Sequence, residues 1–224
     1  MYPAAVIFDF DGVIVDTEPL HYQAFQKILT HRNLGYSWED YKAIYMGFDD
    51  RDAFREAFAR GGSTLTEGEL EQLIAHKATI FQEVIAYGVI PYPGVTALIR
   101  NLHDQGTPLA ICSGALRSDI LPIIQQLSVA NCFTQIITAD DVQHSKPDPT
   151  CYRIAAQQLI AAYPDQLRPD SAIVAIEDTP AGISSAKGAG LQVVAVSNSY
   201  PAECLQQADK IVTSLEELQT GHWF

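Results

Sequence analysis

The stretch AVIFDFDGV at residues 5–13 places two aspartates, Asp9 and Asp11, directly after a short apolar run. The run Ala4–Phe8 has the composition of a β-strand that is buried on both of its faces. Runs of the same kind recur later in the chain, at Leu109–Cys112, Gln135–Thr138, Ile173–Ile176, Val193–Val196 and, more weakly, Lys210–Val212. The opening stretch therefore predicts the first strand of a buried sheet, with charged residues at its carboxyl end.

Helical patterns separate the later strands. Apolar residues recur there at intervals of three and four, which is the spacing of one face of an α-helix. The residues that carry the pattern are Val95, Leu98, Ile99 and Leu102, then Ile120, Ile123, Ile124 and Leu127, then Tyr152, Ala155, Ala156 and Leu159. Because strands and helices alternate in this way, the sequence predicts βαβ units and an α/β fold with a parallel sheet.

One long segment interrupts the alternation. From about residue 17 to residue 90 the sequence contains helical patterns and no convincing strand. Glu18-Pro19 suits a first helical turn, and Thr66 with Glu69 has the spacing of a capping box. The sequence PYPG at residues 91–94 ends the segment with a stiff turn. We therefore predict an α/β core formed by residues 1–16 and 92–224, with an all-helical cap inserted at residues 17–91.

The composition excludes several classes of function. The chain has 224 residues, of which 47% are hydrophobic and 18% are charged, so it can bury a substantial core. Its formal net charge is −13 at pH 7, which is a poor match to nucleic acid or to an anionic membrane surface. We expect neither as a partner. An anionic ligand must instead be held by a few local positive groups.

The sequence shows no segment typical of export or of membrane insertion. Its first residues lack the basic region of a secretory signal, and the longest uncharged stretch, Ile120–Ala139, contains a proline and several amides. The four cysteines have no paired spacing, which favours unpaired thiols in a reducing compartment over disulfides or a zinc site. They are Cys112, Cys132, Cys151 and Cys204. We predict a soluble cytoplasmic protein that is monomeric or weakly self-associating.

Polar residues follow the predicted strands where each of them ends. For the first four strands in order they are Asp9 with Asp11, Ser113 with Gly114, Asp140 with Asp141 and shortly after them Lys146, and Glu177 with Asp178. The carboxyl ends of parallel strands lie along one edge of a sheet, and open α/β sheets bind their ligands at that edge. We therefore expect these residues to form a single site.

The residue types in this set favour one kind of chemistry. Clustered carboxylates repel one another unless a cation lies among them, and a ligand set made only of oxygen atoms suits Mg²⁺. Two unit charges about 4 Å apart interact by about 4 kcal/mol at an effective dielectric constant of about 20. Mg²⁺ and Lys146 together can therefore hold a phosphate dianion despite the negative surface. Asp178, which lies just before Pro180, is also predicted to cap the following helix.

These motifs together resemble a known family. The sequence DFDGV at residues 9–13, the strand-terminal Ser113, Lys146 and the pair Glu177-Asp178 resemble, in order and spacing, those of the haloacid dehalogenase-like hydrolase superfamily. The chain looks most like its β-phosphoglucomutase-like subgroup of phosphatases and mutases, and the resemblance extends over nearly the whole sequence. It implies a Rossmann-like parallel-sheet core with an inserted helical cap.

The resemblance also implies a role for each acidic residue. Asp9 would be the nucleophile that attacks phosphorus and becomes an aspartyl-phosphate, and Asp11 would protonate the leaving oxygen and then activate water. Mg²⁺ would be bound by Asp9, Asp178 and the backbone carbonyl of Asp11, with Glu177 bound directly or through water. Haloacid dehalogenases lack the second aspartate, because a halide needs no protonation when it leaves. The presence of Asp11 therefore favours phosphate esters as substrates.

Further residues are assigned by the same resemblance. Ser113, Gly114 and Lys146 are expected to hold the transferring phosphoryl group, assisted by backbone N–H groups. Four residues are expected near the rest of the substrate, at the entry to the cap and within it: Thr17, His21, Met46 and Arg51. For His21, packing in the apolar face of its helix is an equal alternative.

The choice between hydrolysis and phosphate transfer depends on one segment. Mutases of this family hold the second phosphate of a bisphosphate with a Lys and an Arg in the pattern K-G-x-x-R, whereas this chain has MGFDDR at residues 46–51. Met46 replaces the Lys, and Asp50 replaces the Arg. We therefore predict a Mg²⁺-dependent phosphatase that acts on a small phosphorylated metabolite. A β-phosphoglucomutase-like mutase is the alternative, and a phosphosugar-binding module without activity is a second.

Overall fold

Six parallel strands form a sheet in the computed structural model, which describes residues 2–46, 48–86, 88–221 and 223–224. The strands are β1 (Ala5–Phe8), β2 (Leu109–Cys112), β3 (Gln135–Ile137), β4 (Ile173–Glu177), β5 (Gln192–Val196) and β6 (Lys210–Val212). Their order across the sheet is β3-β2-β1-β4-β5-β6. Each strand lies within one residue of its predicted bounds, and the α/β, Rossmann-like fold is confirmed.

Helices surround the sheet and fill the long segment between its first two strands. In chain order they are α1 (Glu18–Leu29), α2 (Trp38–Asp40, continued by a π-helical turn at Tyr41–Tyr45), α3 (Asp50–Arg60), α4 (Glu67–Ile85), α5 (Val95–Asp104), α6 (Arg117–Gln126), α7 (Thr150–Ala162) and α8 (Pro180–Gly188). The predicted capping box of Thr66 and Glu69 begins α4. None of the described helices combines the length and the apolar character that a membrane span requires.

The central strand β1 is fully buried because helices cover both faces of the sheet. Val6 and Phe8 pack in an apolar cluster with residues of α5 and α6, whereas Ala5 and Ile7 pack in a second cluster with residues of α7 and α8. This alternation follows from the two-residue period of a strand. β1 pairs with β2 on one side and β4 on the other, so the residues that follow these three strands enter the same space.

The first four helices, which we call the cap, have an apolar core of their own. Phe25 of α1, Phe54 of α3 and Leu70 of α4 pack in a third cluster that contains no residue of the sheet. The rings of Phe25 and Phe54 meet edge to face, with centroids 5.1 Å apart. The cap therefore has a packed interior of its own, while Ala24, Phe81 and Ile85 of the cap pack in the cluster that contains Val6 and Phe8 of β1.

The chain enters and leaves the cap through two adjacent segments. Val15 bridges Pro91 in antiparallel orientation, and the N–H of Tyr92 donates to the carbonyl of Ile14 at 3.0 Å. The cap is thereby joined to the core at one paired crossing. Boundaries at residues 17 and 91 stay a prediction.

Two local predictions from the sequence are wrong. The N-cap of α8 is Thr179, whose side chain accepts a hydrogen bond from the N–H of Gly182 at 3.0 Å, so Asp178 does not have that role. Cys112, at the end of β2, and Cys151, in the first turn of α7, form a disulfide with their Cα atoms 6.1 Å apart. They are separated by 39 residues in sequence, and only the packing of α7 against β2 brings them together.

Candidate active site

Asp9 and Lys146 form an ion pair at the carboxyl end of the sheet. Asp9 follows β1 directly, and Lys146 comes from the loop between β3 and α7. The Lys146 Nζ donates to Asp9 Oδ1 at 2.7 Å and to Glu177 Oε1 at 2.6 Å. It also donates to the carbonyl of Cys112 at 3.1 Å. One ammonium group therefore joins the ends of β1, β2 and β4.

The surroundings raise the pKa of both Asp9 and Lys146, which disfavours the charge of the first and favours that of the second. Burial raises the pKa of Asp9 to about 8; Lys146 acts in the opposite direction, and the charge of Glu177 adds to the rise. For Lys146, burial acts to lower the pKa, but the charges of Asp9 and Glu177 more than compensate and hold it above its ordinary value. Lys146 is thus a fixed positive charge, whereas Asp9 needs a further cation to be fully ionised at neutral pH.

Asp9, Glu177 and Asp178 form a buried acidic cluster. Carboxylate oxygens of the three lie within 4.8 Å of one another. Asp178 Oδ2 accepts a hydrogen bond from Ser199, but Asp178 Oδ1 is buried and has no hydrogen-bond partner in the part of the chain that the structure describes. Burial, together with the charges of Asp9 and Glu177, raises the pKa of Asp178 well above its usual range. Such an acceptor among carboxylates fits a hard cation that takes oxygen ligands, as Mg²⁺ does.

Glu177 differs from the other two because donors occupy both of its oxygens. Tyr152 donates to Oε1 at 2.7 Å, beside the ammonium of Lys146. The N–H groups of Asp178 and Thr179 donate to Oε2 at 3.1 and 3.4 Å. The carboxylate is fully buried, so these donors fix its orientation.

The turn after Asp11 leaves no room for a side chain. Gly12 has a φ of +80°, a conformation that glycine adopts without strain, and a Cβ atom there would lie 1.9 Å from Asp178 Oδ2. Asn198 Nδ2 donates to the carbonyl of Gly12 at 2.7 Å. The glycine of the DFDGV motif therefore lets the turn pack directly against the acidic cluster.

Asp11 lies two residues after Asp9 and is surrounded by hydrogen-bond donors. Thr17 donates to Asp11 Oδ1, and His21 Nε2 lies 3.4 Å from the same atom. Ser113 donates to Oδ2 at 3.5 Å. Burial acts to raise the pKa of Asp11, but the interactions with His21, Thr17 and Lys77 outweigh it and lower the pKa below its usual value. Asp11 is therefore an ionised carboxylate, able to accept a proton, when the cavity holds no ligand.

The sequence analysis gives no role to a buried lysine behind His21. Lys77 of α4 is fully buried, and its Nζ lies 2.7 Å from His21 Nδ1 and 2.8 Å from Asp50 Oδ1. Asp119 Oδ2, on α6, is 3.8 Å from the same Nζ. A signal for this residue was present in the sequence, because a charged residue is unexpected on the apolar face of a helix. That face of α4 contains Leu70, Leu73, Lys77 and Phe81.

These groups surround a cavity between the sheet edge and the cap. The predicted site residues that line it are Asp9, Asp11, His21, Gly114 and Lys146. The predicted residues that contact these from behind are Thr17, Ser113, Glu177 and Asp178. On the cap side the lining contains Phe48, for which the sequence leaves a position in the cap core and a position facing the cleft equally open, and four residues that the sequence analysis did not select: Glu18, Phe25, Tyr41 and Asp50.

Met46 and Arg51 do not line this cavity. Arg51 pairs with Asp49 at 3.0 Å and donates to two backbone carbonyls of the loop after β3, at 3.1 and 3.2 Å, so it connects the cap to the core. Asp50 lines the cavity instead, since successive residues of a helix point about 100° apart. Gly47, which belongs to the compared motif, lies outside the described residues.

The acidic cluster should make the stability of the metal-free protein fall as pH rises. The pKa values of Asp9 and Asp178 are raised in the folded chain. Above about pH 4 the folded state therefore holds protons that the unfolded chain releases, and the stability they provide is lost as pH rises towards about 8. We expect Tm in EDTA to decrease from about pH 5.5 to about pH 8, and Mg²⁺ to raise Tm more at the higher pH. Thermal unfolding with EDTA or MgCl₂ measures both effects.

Asp178→Asn is the control for this prediction. The substitution removes one of the two raised carboxyls, so Tm in EDTA should depend less on pH and should respond less to Mg²⁺. A wild-type protein whose metal-free Tm increases over the same pH range would contradict the prediction.

The chain matches a known protein family over most of its length. The family described as haloacid dehalogenase-like hydrolase matches residues 6–196, a range that contains the ion pair, the acidic cluster and the cap. The chain belongs to the haloacid dehalogenase-like hydrolase family. The four motifs that carry the resemblance in the sequence all lie within the matched range.

Three similar proteins illustrate where this haloacid dehalogenase-like hydrolase lies within its family. Validoxylamine A 7'-phosphate phosphatase of Streptomyces hygroscopicus subsp. limoneus is 30% identical over 99% of this chain and 98% of its own. Fructose-1-phosphate phosphatase YqaB of Escherichia coli K12 is 28% identical over 86% of this chain and 96% of its own. The structure of β-phosphoglucomutase from Clostridium difficile matches with a TM-score of 0.82 at 22% identity, covering 96% of this chain and 93% of that one. The fold is therefore that of the β-phosphoglucomutase-like subgroup.

Proposed function

We propose that this haloacid dehalogenase-like hydrolase is a phosphatase that hydrolyses a small phosphomonoester. The observation that carries the proposal is the Asp9–Lys146 ion pair, in which a buried carboxylate lies beside both an ammonium group and the acidic cluster. Asp11 lines the same cavity, within reach of a group bound at Asp9. Both relatives compared by sequence are named as phosphatases, which supports the same reaction here.

The proposed reaction has two halves. In the first, the carboxylate of Asp9 attacks phosphorus, the bond from phosphorus to the alcohol oxygen breaks, and Asp11 donates a proton to that oxygen. In the second, Asp11 accepts a proton from water, whose oxygen attacks phosphorus. The bond from phosphorus to the Asp9 oxygen breaks, which releases inorganic phosphate and restores the Asp9 carboxylate. A substrate dianion beside Asp11 raises the pKa of its carboxyl, which favours the protonated form that the first half requires.

The residues around Asp9 fit a magnesium ion and a phosphoryl group. When bound, Mg²⁺ neutralises charge on the phosphoryl oxygens. The ligands we propose are Asp9, Asp178 and the backbone carbonyl of Asp11. Glu177 would act through water, because donors already occupy both of its oxygens. The groups proposed to hold the phosphoryl group are Lys146, the Ser113 hydroxyl and the N–H of Gly114.

The cap, proposed to comprise residues 17–91, would close over the cavity and select the alcohol part of the substrate. Thr17 and His21 would hold Asp11 in position from the cap side, since both contact its Oδ1. The relatives named as phosphatases of small phosphorylated compounds support a small phosphorylated metabolite as the partner, and Lys146 supplies the local positive charge that would hold its phosphate. We propose the cytoplasm as the location and a monomer or a weak homo-oligomer as the functional state.

A phosphate-release assay tests the proposed function. With Mg²⁺, the protein should release phosphate from 4-nitrophenyl phosphate and from at least one member of a panel of sugar phosphates, phosphoglycolate and nucleoside monophosphates. EDTA should abolish the release, and Mg²⁺ should restore it. Conversion of glucose 1-phosphate to glucose 6-phosphate without free phosphate would favour the mutase. Binding without turnover across the panel would favour a module without activity.

A further inference from the structure

Among the described residues, the cap side of the cavity is lined by two acidic side chains and by no Lys or Arg. Glu18 and Asp50, both from the cap, line the cavity together with Tyr41. Among the described residues that line it, the only Lys or Arg is Lys146, which lies on the core side and is already paired with two carboxylates. We call Glu18, Tyr41 and Asp50 the cap wall. A second anionic group on a substrate would find no free cation there.

The cation behind the cap wall is neutralised. The Nζ of Lys77 lies 2.8 Å from Asp50 Oδ1 and 3.8 Å from Asp119 Oδ2, with His21 Nδ1 at 2.7 Å. Two carboxylates therefore face one ammonium group, and Lys77 is itself fully buried. Lys77 therefore offers no free positive charge to the cavity.

Asp50 also has an acceptor atom to spare. Its Oδ1 is paired with Lys77, but its Oδ2 is buried and has no hydrogen-bond partner among the described residues. Buried acceptors are nearly always bonded. Because Asp50 lines the cavity, a donor on a bound molecule can supply a partner for its carboxylate. A hydroxyl group supplies such a donor, whereas an ionised phosphate or carboxylate supplies none and repels the aspartate.

We propose that the cap wall selects phosphomonoesters of uncharged polyhydroxy alcohols and excludes substrates with a second anionic group, with Asp50 as the discriminating residue. This inference rests on the proposed phosphatase function and specifies its substrate class. It assigns to Asp50 a role in specificity and none in bond breaking.

Two acyclic six-carbon compounds form a matched pair of probes. Glucitol 6-phosphate is uncharged apart from its phosphate, and 6-phosphogluconate carries a carboxylate at its other end. Each probe is assayed for phosphate release and for inhibition of 4-nitrophenyl phosphate hydrolysis, so that a probe that is not hydrolysed still reports binding. Repulsion by the cap wall should make kcat/KM, or the inhibition constant, more favourable for glucitol 6-phosphate by at least about 30-fold.

Other outcomes of the probe comparison overturn the inference. These are equal or better use of 6-phosphogluconate, and failure of both probes to react or compete. Hydrolysis of 4-nitrophenyl phosphate that is lost on Asp9→Asn supports the proposed function by itself. The substrate-class inference can therefore fail while the proposed function stands, and the two failures are distinguished.

Asp50→Asn tests the residue assignment, and Glu56→Gln is its matched control. Both substitutions remove one negative charge from α3, but Glu56 pairs with Arg60 on the helix surface at 2.7 Å and does not line the cavity. Asp50→Asn should reduce the preference for glucitol 6-phosphate by at least about fivefold, and Glu56→Gln should leave it within about twofold. Equal shifts in the two variants would assign the preference to overall charge and overturn the role of Asp50. If Asp50→Asn fails to fold, as circular dichroism would show, the wild-type probe ratio still decides the substrate class, and Asp50→Ser, a smaller neutral replacement, tests the residue assignment in its place.

Discussion

Replacing Asp9 by Asn should leave a folded protein whose phosphate release falls by roughly 10⁴-fold or more. Asn has the size of Asp, and its carbonyl oxygen can still accept the hydrogen bond that Lys146 gives to Oδ1 at 2.7 Å. The amide is not a nucleophile towards phosphorus, so the first half of the reaction stops. The variant also removes one carboxyl from the crowded acidic cluster, so its metal-free stability should not decrease. Phosphate release with Mg²⁺ and thermal unfolding in EDTA measure the two effects.

Asp165→Asn provides the chemical control. Asp165 is exposed and lies before the amino end of β4, whereas the site lies at the carboxyl ends of the strands. That variant should keep wild-type turnover. Phosphate release by Asp9→Asn at the wild-type rate would remove Asp9 from the proposed mechanism.

Replacing Lys146 by Met should destabilise the protein more than any other single substitution at the site. Met has a similar length and no charge, so the substitution leaves the buried carboxylates of Asp9 and Glu177 without their shared cation. Breaking a buried ion pair by removing one partner costs about 3–5 kcal/mol. The loss should be smaller near pH 5 than near pH 8, because Asp9, whose pKa is already raised to about 8, is protonated at the lower pH. Turnover should also fall, since the ammonium is a proposed ligand of the phosphoryl group.

Urea denaturation at the two pH values measures this loss, with Lys187→Met as the matched control. Lys187 pairs with Asp209 at 2.5 Å, but both side chains are about one-third exposed, so this substitution should change the free energy of unfolding by no more than about 1 kcal/mol. Equal destabilisation by the two variants would show that Lys146 is no more than a surface cation.

The sheet and the residues at its edge could be predicted from the sequence for a simple physical reason. Strands buried on both faces are continuous apolar runs, and three of the predicted runs end directly before a site residue: Phe8 before Asp9, Cys112 before Ser113 and Ile176 before Glu177. Parallel pairing then brings the strand ends together without further information. The Rossmann-like fold and the family followed from these positions.

The contacts inside the cap could not be predicted from the sequence in the same way. Which residues of a helix face a cavity depends on how that helix packs, and a shift of one position exchanges Asp50 for Arg51. The pairing of Lys77 with Asp50 joins residues of two helices, and the disulfide between Cys112 and Cys151 depends on the packing of α7 against the sheet. Sequence periodicity contains none of these contacts.

Because the chain crosses to the helices and back at one position, where Val15 bridges Pro91, the sheet can close without the intervening residues. An insertion of another length or shape would be accommodated at the same position, provided that its two ends lie next to each other. The substrate specificity of one relative can then be transferred to another by exchanging the whole cap. A graft would have to reproduce the contacts between cap and core, such as those of Arg51 and Lys77 and the packing of Phe81 and Ile85 in the apolar cluster of the core, while the catalytic residues of the host stayed unchanged.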